Sequence, residues 1–127
     1  MDDIIRQYKF EVNRTLLKDL LIQGYIAAQD SHKYILKNRV NVSMAYLTEA
    51  NTFFTNARVL YSQNMDLESL EIDIETLFHR FNVFNDELLD CVATDHSHQW
   101  TDIEFRAFKN EILKISEIHD FIISLDS

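Results

Sequence analysis

The residues best suited to chemistry lie together in one short polar stretch of the sequence. Cys91, Asp95, His96 and His98 fall within eight positions. Thiolate, carboxylate and imidazole groups bind zinc in proteins, so this stretch is a candidate for part of a metal site. A matching second pair of ligands is not visible elsewhere in the sequence. We therefore predict no metal and no other cofactor, and keep Cys91, His96 and His98 as the alternative metal site.

Other catalytic arrangements fail on spacing or on composition. Di-iron helical bundles carry a glutamate three residues before a histidine on each of two helices. The single glycine cannot form a glycine-rich phosphate loop or a glycine-flanked nucleophile turn. We therefore predict that the protein is not an enzyme. The residues three positions before the five histidines include no glutamate: they are Gln29, Thr76, Ala93, Asp95 and Ser116.

One further histidine lies where helical spacing predicts burial. His119 shares a predicted helix face with Ile115 and Ile122. A buried imidazole costs stability unless a neighbour bonds to it, so we expect His119 to be a paired core or boundary residue. The alternative function is a small metal-binding or hydrolytic helical enzyme that uses His119, or Cys91 with His96 and His98.

The negative charge of the chain is concentrated in one segment. The net charge is −9, and residues 66–104 carry eleven acidic side chains against one basic side chain, Arg80. Nucleic-acid affinity comes largely from lysine and arginine, so direct binding of DNA or RNA by this segment is disfavoured. A basic protein partner is favoured, because opposite charges speed and orient association. The alternative is a solvated face that only keeps the protein soluble.

A candidate contact surface lies on the helix predicted for this acidic segment. Ile72 and Val83 lie opposite the apolar seam of that helix, where they would form an apolar centre with an acidic rim. Scattered exposed apolar residues are normal, so an ordinary surface or a homodimer interface is the alternative. The predicted partner-binding residues are Glu68, Ile72, Glu75, His79, Val83 and Asp86.

These observations predict a non-catalytic interaction protein. It would bind, and inhibit or neutralise, a basic protein, in the manner of an inhibitor, immunity protein, antitoxin or adaptor. In a related version, the carboxylates imitate a phosphate backbone and block a nucleic-acid enzyme. A second alternative is a structural bundle that associates only with its own copies. A smaller basic and aromatic patch is expected to neutralise acidic neighbours or to contact another subunit: Lys33, Tyr34, Lys37 and Arg39.

The elements that must position these residues are helices. The 127 residues include no proline and one glycine, Gly24, so few positions force a break in the backbone. We predict an all-α fold, an antiparallel four-helix bundle, in one domain that spans residues 1–127. No apolar stretch approaches the roughly 18 residues of a membrane-spanning helix. Because Cys91 is the only cysteine and no signal peptide is visible, we expect a cytoplasmic protein that does not bind membranes.

Local signals predict where the four helices begin and end. A turn is expected at residues 29–31, and a kink or break near Asn41 in the second helix, where asparagine and β-branched residues favour helices poorly. Asp66 is predicted to cap the third helix, and Thr101 with Glu104 to form the capping box of a last helix that runs close to Ser127. The predicted core seam of the first helix is Ile5, Tyr8, Val12, Leu16 and Leu20. That of the third is Leu67, Leu70, Ile74, Leu77, Phe81, Phe84, Leu88 and Cys91.

Overall fold

The fold is all helical in a computed structural model that describes residues 2–64, 67, 73–95 and 97–125. This confirms the predicted fold class, but the described residues form five helices rather than four, and no strand occurs among them. No helix in these ranges has the length and apolar character needed to cross a bilayer. The helices are α1 (Asp2–Leu36), α2 (Val40–Gln63), α3 (Ile74–Thr94), α4 (Gln99–Ile112) and α5 (Ser116–Leu125).

The first turn lies at residues 37–39, and the predicted turn at residues 29–31 is wrong because these residues continue α1. Asn38 has a φ of 59°, the left-handed conformation that asparagine tolerates better than most residues. The Arg39 amide donates to the Tyr34 carbonyl at 2.9 Å and closes the end of the helix. A break inside the second helix near Asn41 is not confirmed, since Asn41 lies in the first turn of α2.

Helices α1 and α2 pack against each other in opposite directions, with small residues at the contact. Near the turn, the Ser31 hydroxyl donates to the Ser43 carbonyl at 2.8 Å, and the Ser43 hydroxyl donates to the Ser31 carbonyl at 2.7 Å. Further along, Gly24 faces the ring of Phe54 so closely that a Cβ atom there would lie 2.8 Å from Cε2. The absence of a side chain at Gly24 therefore sets how near the two helices approach.

The predicted core seam of α1 is mostly on the outside. Ile5, Tyr8, Val12 and Leu16 are exposed, and Leu20 is only partly buried. The helix has a second face, where small residues allow α2 to approach, and packing on that side turns the predicted seam towards solvent. The buried residues of α1 are Leu17, Leu21, Gly24, Tyr25, Ala27, Ala28, Ser31 and Ile35.

Helix α3 buries the predicted seam over its described length. It begins at Ile74, and Asp73 caps it by accepting the Thr76 amide at 3.1 Å. The predicted cap Asp66 and the seam residue Leu70 lie outside the described residues. The seam residues that are buried as predicted are Leu67, before the helix, and Ile74, Leu77, Phe81, Phe84, Leu88 and Cys91 within it.

Helix α4 starts at Gln99, so the predicted capping box of Thr101 and Glu104 is wrong. Thr101 is buried inside the helix, while the Ser97 hydroxyl accepts the Gln99 amide at 3.2 Å. Helices α3 and α4 run in opposite directions, because Phe81 contacts Phe108 while Phe84 contacts Phe105.

The predicted last helix is two helices, separated at residues 113–115. The break lets α5 fold back onto α1, where Arg14 forms an ion pair with Glu117. Ile115, before α5, and Ile118 and Ile122 within it are buried.

The two helix pairs meet at a cluster of aromatic rings. The Phe54 ring of α2 lies 4.3 Å from that of Phe81 and 5.6 Å from that of Phe108 between ring centroids. Tyr25 of α1 lies 5.9 Å from Phe108 and 6.2 Å from Phe105. Aromatic pairs at such distances add about 0.5–1.5 kcal/mol each beyond the area that they bury. The cluster therefore fixes how the α1–α2 pair sits on the α3–α4 pair.

Candidate functional site

Four of the six predicted contact residues lie along one side of α3. Glu75, His79 and Asp86 are exposed and Val83 is half-buried. Their spacing of four, four and three residues places them on one side of the helix, opposite the buried seam. We call these four residues the acidic stripe. The other two predicted contact residues, Glu68 and Ile72, lie outside the described residues.

The carboxylates of the acidic stripe are available for an external partner. Within the described parts of the chain, neither Glu75 nor Asp86 forms an ion pair. The side-chain amide of Asn85 donates a hydrogen bond to Asp86 at 3.4 Å. Because exposed charges in water interact weakly with one another, these carboxylates contribute little to folding. Their role is compatible with binding.

The carboxylate at the start of α3 has a structural role instead. Asp73 accepts the Thr76 hydroxyl at 2.7 Å and the Thr76 amide at 3.1 Å. These two hydrogen bonds, the hydroxyl first, lower the pKa of Asp73 below its usual 3.8. Asp73 is therefore a helix cap, and we do not include it in the acidic stripe.

Two residues of the alternative metal site are in contact. The Cys91 sulfur lies 3.2 Å from Nδ1 of His98, and Cys91 is only 2% exposed. His96 lies outside the described residues. Elsewhere in the chain as described, no three histidine, cysteine, aspartate or glutamate side chains come close enough to hold a metal ion. The Cys91–His98 pair by itself supplies two ligands, which is fewer than a zinc site needs.

The expected core position of His119 is wrong. His119 is exposed, and its Nδ1 lies 3.2 Å from Oδ1 of the neighbouring Asp120. Ile115 and Ile122 are buried, but helical spacing allows either Ile118 or His119 to lie between them, and the apolar Ile118 takes the buried position.

A histidine that the sequence analysis did not single out forms a part-buried polar contact between two helices. Nε2 of His32 on α1 lies 2.7 Å from Oδ1 of Asp102 on α4. The imidazole stacks on Phe105 at 4.5 Å and contacts the edge of Phe84 at 6.2 Å. The two bonded residues are 70 positions apart, so no local pattern reveals the pair.

In the basic and aromatic patch, all three cations contact the ring of Tyr34. The ammonium groups of Lys33 and Lys37 each lie 5.7 Å from the Tyr34 centroid, and the Arg39 guanidinium lies 5.2 Å from it. Tyr34 stacks in parallel on Tyr46 at 5.6 Å. None of the three cations forms an ion pair with a described carboxylate, so the expected neutralisation by acidic neighbours is not seen in the described chain.

An open cleft of about 660 Å³ lies beside this patch, between α1, α4 and the end of α5. Its apolar wall consists of Ile26, Leu36, Phe105 and Leu125. We call it the Lys33 cleft, because Lys33 stands at its edge with the other polar lining residues. A smaller cavity of about 310 Å³ lies at the start of α1, where Lys9 is the lysine in the lining.

Comparison with known proteins does not assign these sites. The chain matches no protein-family model, no curated protein and no solved structure. The function must therefore be inferred from the chemistry and geometry of its own surfaces. One of these surfaces is the acidic stripe, whose residues were predicted from the sequence to bind a partner and lie on one face of α3.

Proposed function

We propose that the protein is a non-catalytic interaction protein whose acidic α3 face binds, and inhibits or neutralises, a basic protein. The observation that carries the proposal is the acidic stripe: Glu75 and Asp86 are exposed, form no ion pair with a described residue, and flank the half-buried Val83. We also propose that the two helix pairs form an antiparallel four-helix bundle, that it works in the cytoplasm, and that the acidic segment 66–104 extends this surface.

At many protein interfaces, the charged rim and the apolar centre have different roles. Complementary charge on the rim raises the association rate and orients the partner, whereas an apolar centre excluded from water holds the complex. On α3 the carboxylates are the rim and Val83 is the centre. Rim interactions of this kind weaken as salt concentration rises, because ions screen exposed charges within about 10 Å at 0.1 M.

The experiment starts by co-purifying the tagged protein from its host at low salt and identifying a stoichiometric partner by mass spectrometry. The affinity of that purified partner is then measured for the wild type and for Glu75→Lys/Asp86→Lys by isothermal titration calorimetry. We expect the double charge reversal to weaken binding at least about tenfold, since like charges placed opposite each other cost free energy at an interface. Val83→Lys should weaken it as well.

A matched control separates a local contact from an effect of net charge. Asp19→Lys/Glu49→Lys changes the charge by the same amount at exposed positions on α1 and α2. It should leave the affinity within about twofold of wild type, since surface charges away from a contact have little effect. Equal losses in the two double variants, or no loss in Glu75→Lys/Asp86→Lys, would show that the acidic stripe is not the interface. Competition by DNA for the same partner surface would support the nucleic-acid-imitating version.

A second candidate function, self-association, is favoured by the outer face of α1. Ile4 and Tyr8 are 73% and 70% exposed, and Ile5, Val12 and Leu16 share that face. Helices pair through apolar residues at steps of three and four. In a two-fold dimer, the apolar face of α1 in one copy would pack against the same face in the other copy.

Sedimentation equilibrium tests this candidate directly. We expect a dimer for the wild type and a monomer for Val12→Glu/Leu16→Glu, two exposed positions where substitution spares the core. Glu75→Lys/Asp86→Lys should remain a dimer, because its changes lie on another helix. A wild-type monomer at about 100 μM, where a dimer with a Kd of about 1 μM would be mostly formed, would rule self-association out.

A further inference from the structure

The Lys33 cleft has the composition of a small-molecule site. Such sites are concave, span about 300–1,000 Å³ and combine a mostly apolar lining with a few placed polar groups. The cleft, at about 660 Å³, has one apolar wall on which Leu36 and Leu125 remain 47% and 40% exposed. Phe105, by contrast, is buried at its base beneath the stacked His32 ring. Apolar side chains thus remain partly in water at this position.

The charges at the edge of the cleft select an anion. Lys33 and Lys37 line it, and neither forms an ion pair with a described carboxylate. Asp30 is the one acidic residue of the lining, so two cations face one anion. The imidazole of His32 is turned to Asp102 by its 2.7 Å hydrogen bond, which leaves the lysines as the groups that determine the charge of a ligand.

The ring of Tyr34 keeps the two lysines in position without neutralising them. Both ammonium groups lie 5.7 Å from its centroid, within the range of a cation–π interaction. The ring itself is fixed by stacking on Tyr46, with only 6° between the planes. A cation–π contact reduces the freedom of the lysine side chain but leaves its charge available to an anion.

We propose that the Lys33 cleft binds a free medium-chain carboxylic acid, with the carboxylate at Lys33 and Lys37 and the aliphatic chain against the apolar wall. This site is separate from the acidic stripe on α3. The argument combines the concave apolar wall with two cations at one edge that form no ion pair with a described carboxylate. A neutral molecule would leave the lysines without a partner, and a cation would be repelled by them.

Decanoate is the test ligand, and ¹H–¹⁵N NMR titration of the full chain is the measurement. We expect shifts of amides around Leu36, Phe105 and Leu125. Decanol should bind at least about tenfold more weakly because it lacks the charge that two charge-assisted contacts recognise. Decyltrimethylammonium, with the same chain and the opposite charge, should not produce these shifts.

Variants distinguish the contacts of the ligand's carboxylate from the contacts of its aliphatic part. Lys33→Gln/Lys37→Gln should lower decanoate affinity about tenfold or more and leave decanol binding unchanged. Leu36→Asp, at an exposed wall position, should weaken both ligands. The control Lys9→Gln/Lys18→Gln removes the same charge nearer the start of α1 and should bind decanoate as the wild type does.

Three results would overturn the proposal. One is an unchanged decanoate affinity in Lys33→Gln/Lys37→Gln. Another is loss of binding in Lys9→Gln/Lys18→Gln, which would place the ligand in the cavity at the start of α1, where Lys9 is in the lining. The third is sedimentation with phosphatidylglycerol vesicles without any decanoate binding, which would indicate a lipid surface instead of a free acid.

Discussion

Replacement of Gly24 by alanine should destabilise this protein, although glycine is the poorer helix former. In an unobstructed helix interior, alanine is about 1 kcal/mol more favourable than glycine. At Gly24 the new Cβ would lie 2.8 Å from Cε2 and 3.0 Å from two further atoms of the Phe54 ring, whereas ordinary contacts begin at 3.4 Å. Either the ring or the helix would have to move.

The ring of Phe54 has little room to move. It is 4% exposed and is held by the ring of Phe81 at 4.3 Å and by that of Phe108 at 5.6 Å. Adding a methyl group to a packed core costs about 1–3 kcal/mol. With the gain from helix propensity subtracted, we expect Gly24→Ala to lose about 1 kcal/mol of the free energy of unfolding.

Urea denaturation followed by circular dichroism measures this change. A loss of about 1 kcal/mol corresponds to a midpoint about 0.5 M lower in urea at an m-value of about 2 kcal/mol/M. Ala45→Gly, at an exposed position in the interior of α2, reports the helix-propensity term alone and should lose about 1 kcal/mol. In a Phe54→Leu background, which removes the outer ring atoms, Gly24→Ala should become stabilising.

Comparing Gly24→Ala in the wild-type and Phe54→Leu backgrounds measures the free-energy cost of the clash between the new Cβ atom and the Phe54 ring. We expect a coupling of about 2 kcal/mol between the substitutions at Gly24 and Phe54, within the range for residues in contact. If Gly24→Ala instead stabilises the wild-type background by the amount that Ala45→Gly costs, the close approach of α1 and α2 at Gly24 is refuted.

Three further predictions concern polar contacts that join or cap helices. Ser31→Ala should lose about 1 kcal/mol of unfolding free energy in urea, because a buried hydroxyl no longer donates to Ser43; no loss would contradict that hydrogen bond. Asn51→Ala should also lose about 1 kcal/mol, and in a double-mutant cycle it should couple to Asn85→Ala, whose side chain it contacts at 2.8 Å. The pKa of Asp73 is lowered from 3.8 in the folded state, so its stabilising effect is present above pH 3.8 and is lost as the pH falls through the folded value. Asp73→Ala should therefore be less stable than wild type at pH 7, and acid titration of the two should show the difference shrink below about pH 3.8; a constant difference would count against the cap.

Much of the local structure could be predicted because it depends on residues close in the sequence. The scarcity of proline and glycine indicated helices throughout, and the described part of the α3 seam is buried as its spacing predicted. The concentration of acidic residues was also a property of the sequence. The same local rules failed at the end of the first helix: α1 continues past the predicted turn at residues 29–31 to Leu36, and Asn38 in a left-handed conformation follows it.

Local rules could not predict which of the two apolar faces of α1 is buried. Ile5, Tyr8, Val12 and Leu16 have good helical spacing but are exposed, because α2 packs on the opposite side through Gly24. His119 was misplaced for a related reason: helical spacing allows either Ile118 or His119 between the buried Ile115 and Ile122, and packing buries Ile118.

Sequence alone therefore determined the helical class, the long uninterrupted segments and the uneven charge, since these follow from residue type and short-range spacing. Tertiary structure decided which face of each helix is buried, because burial depends on the shape of a partner that is distant in the chain. It also brought His32 to Asp102 and set Lys33 and Lys37 beside an apolar wall. Those contacts join residues from separate helices, and no pattern within one helix specifies them.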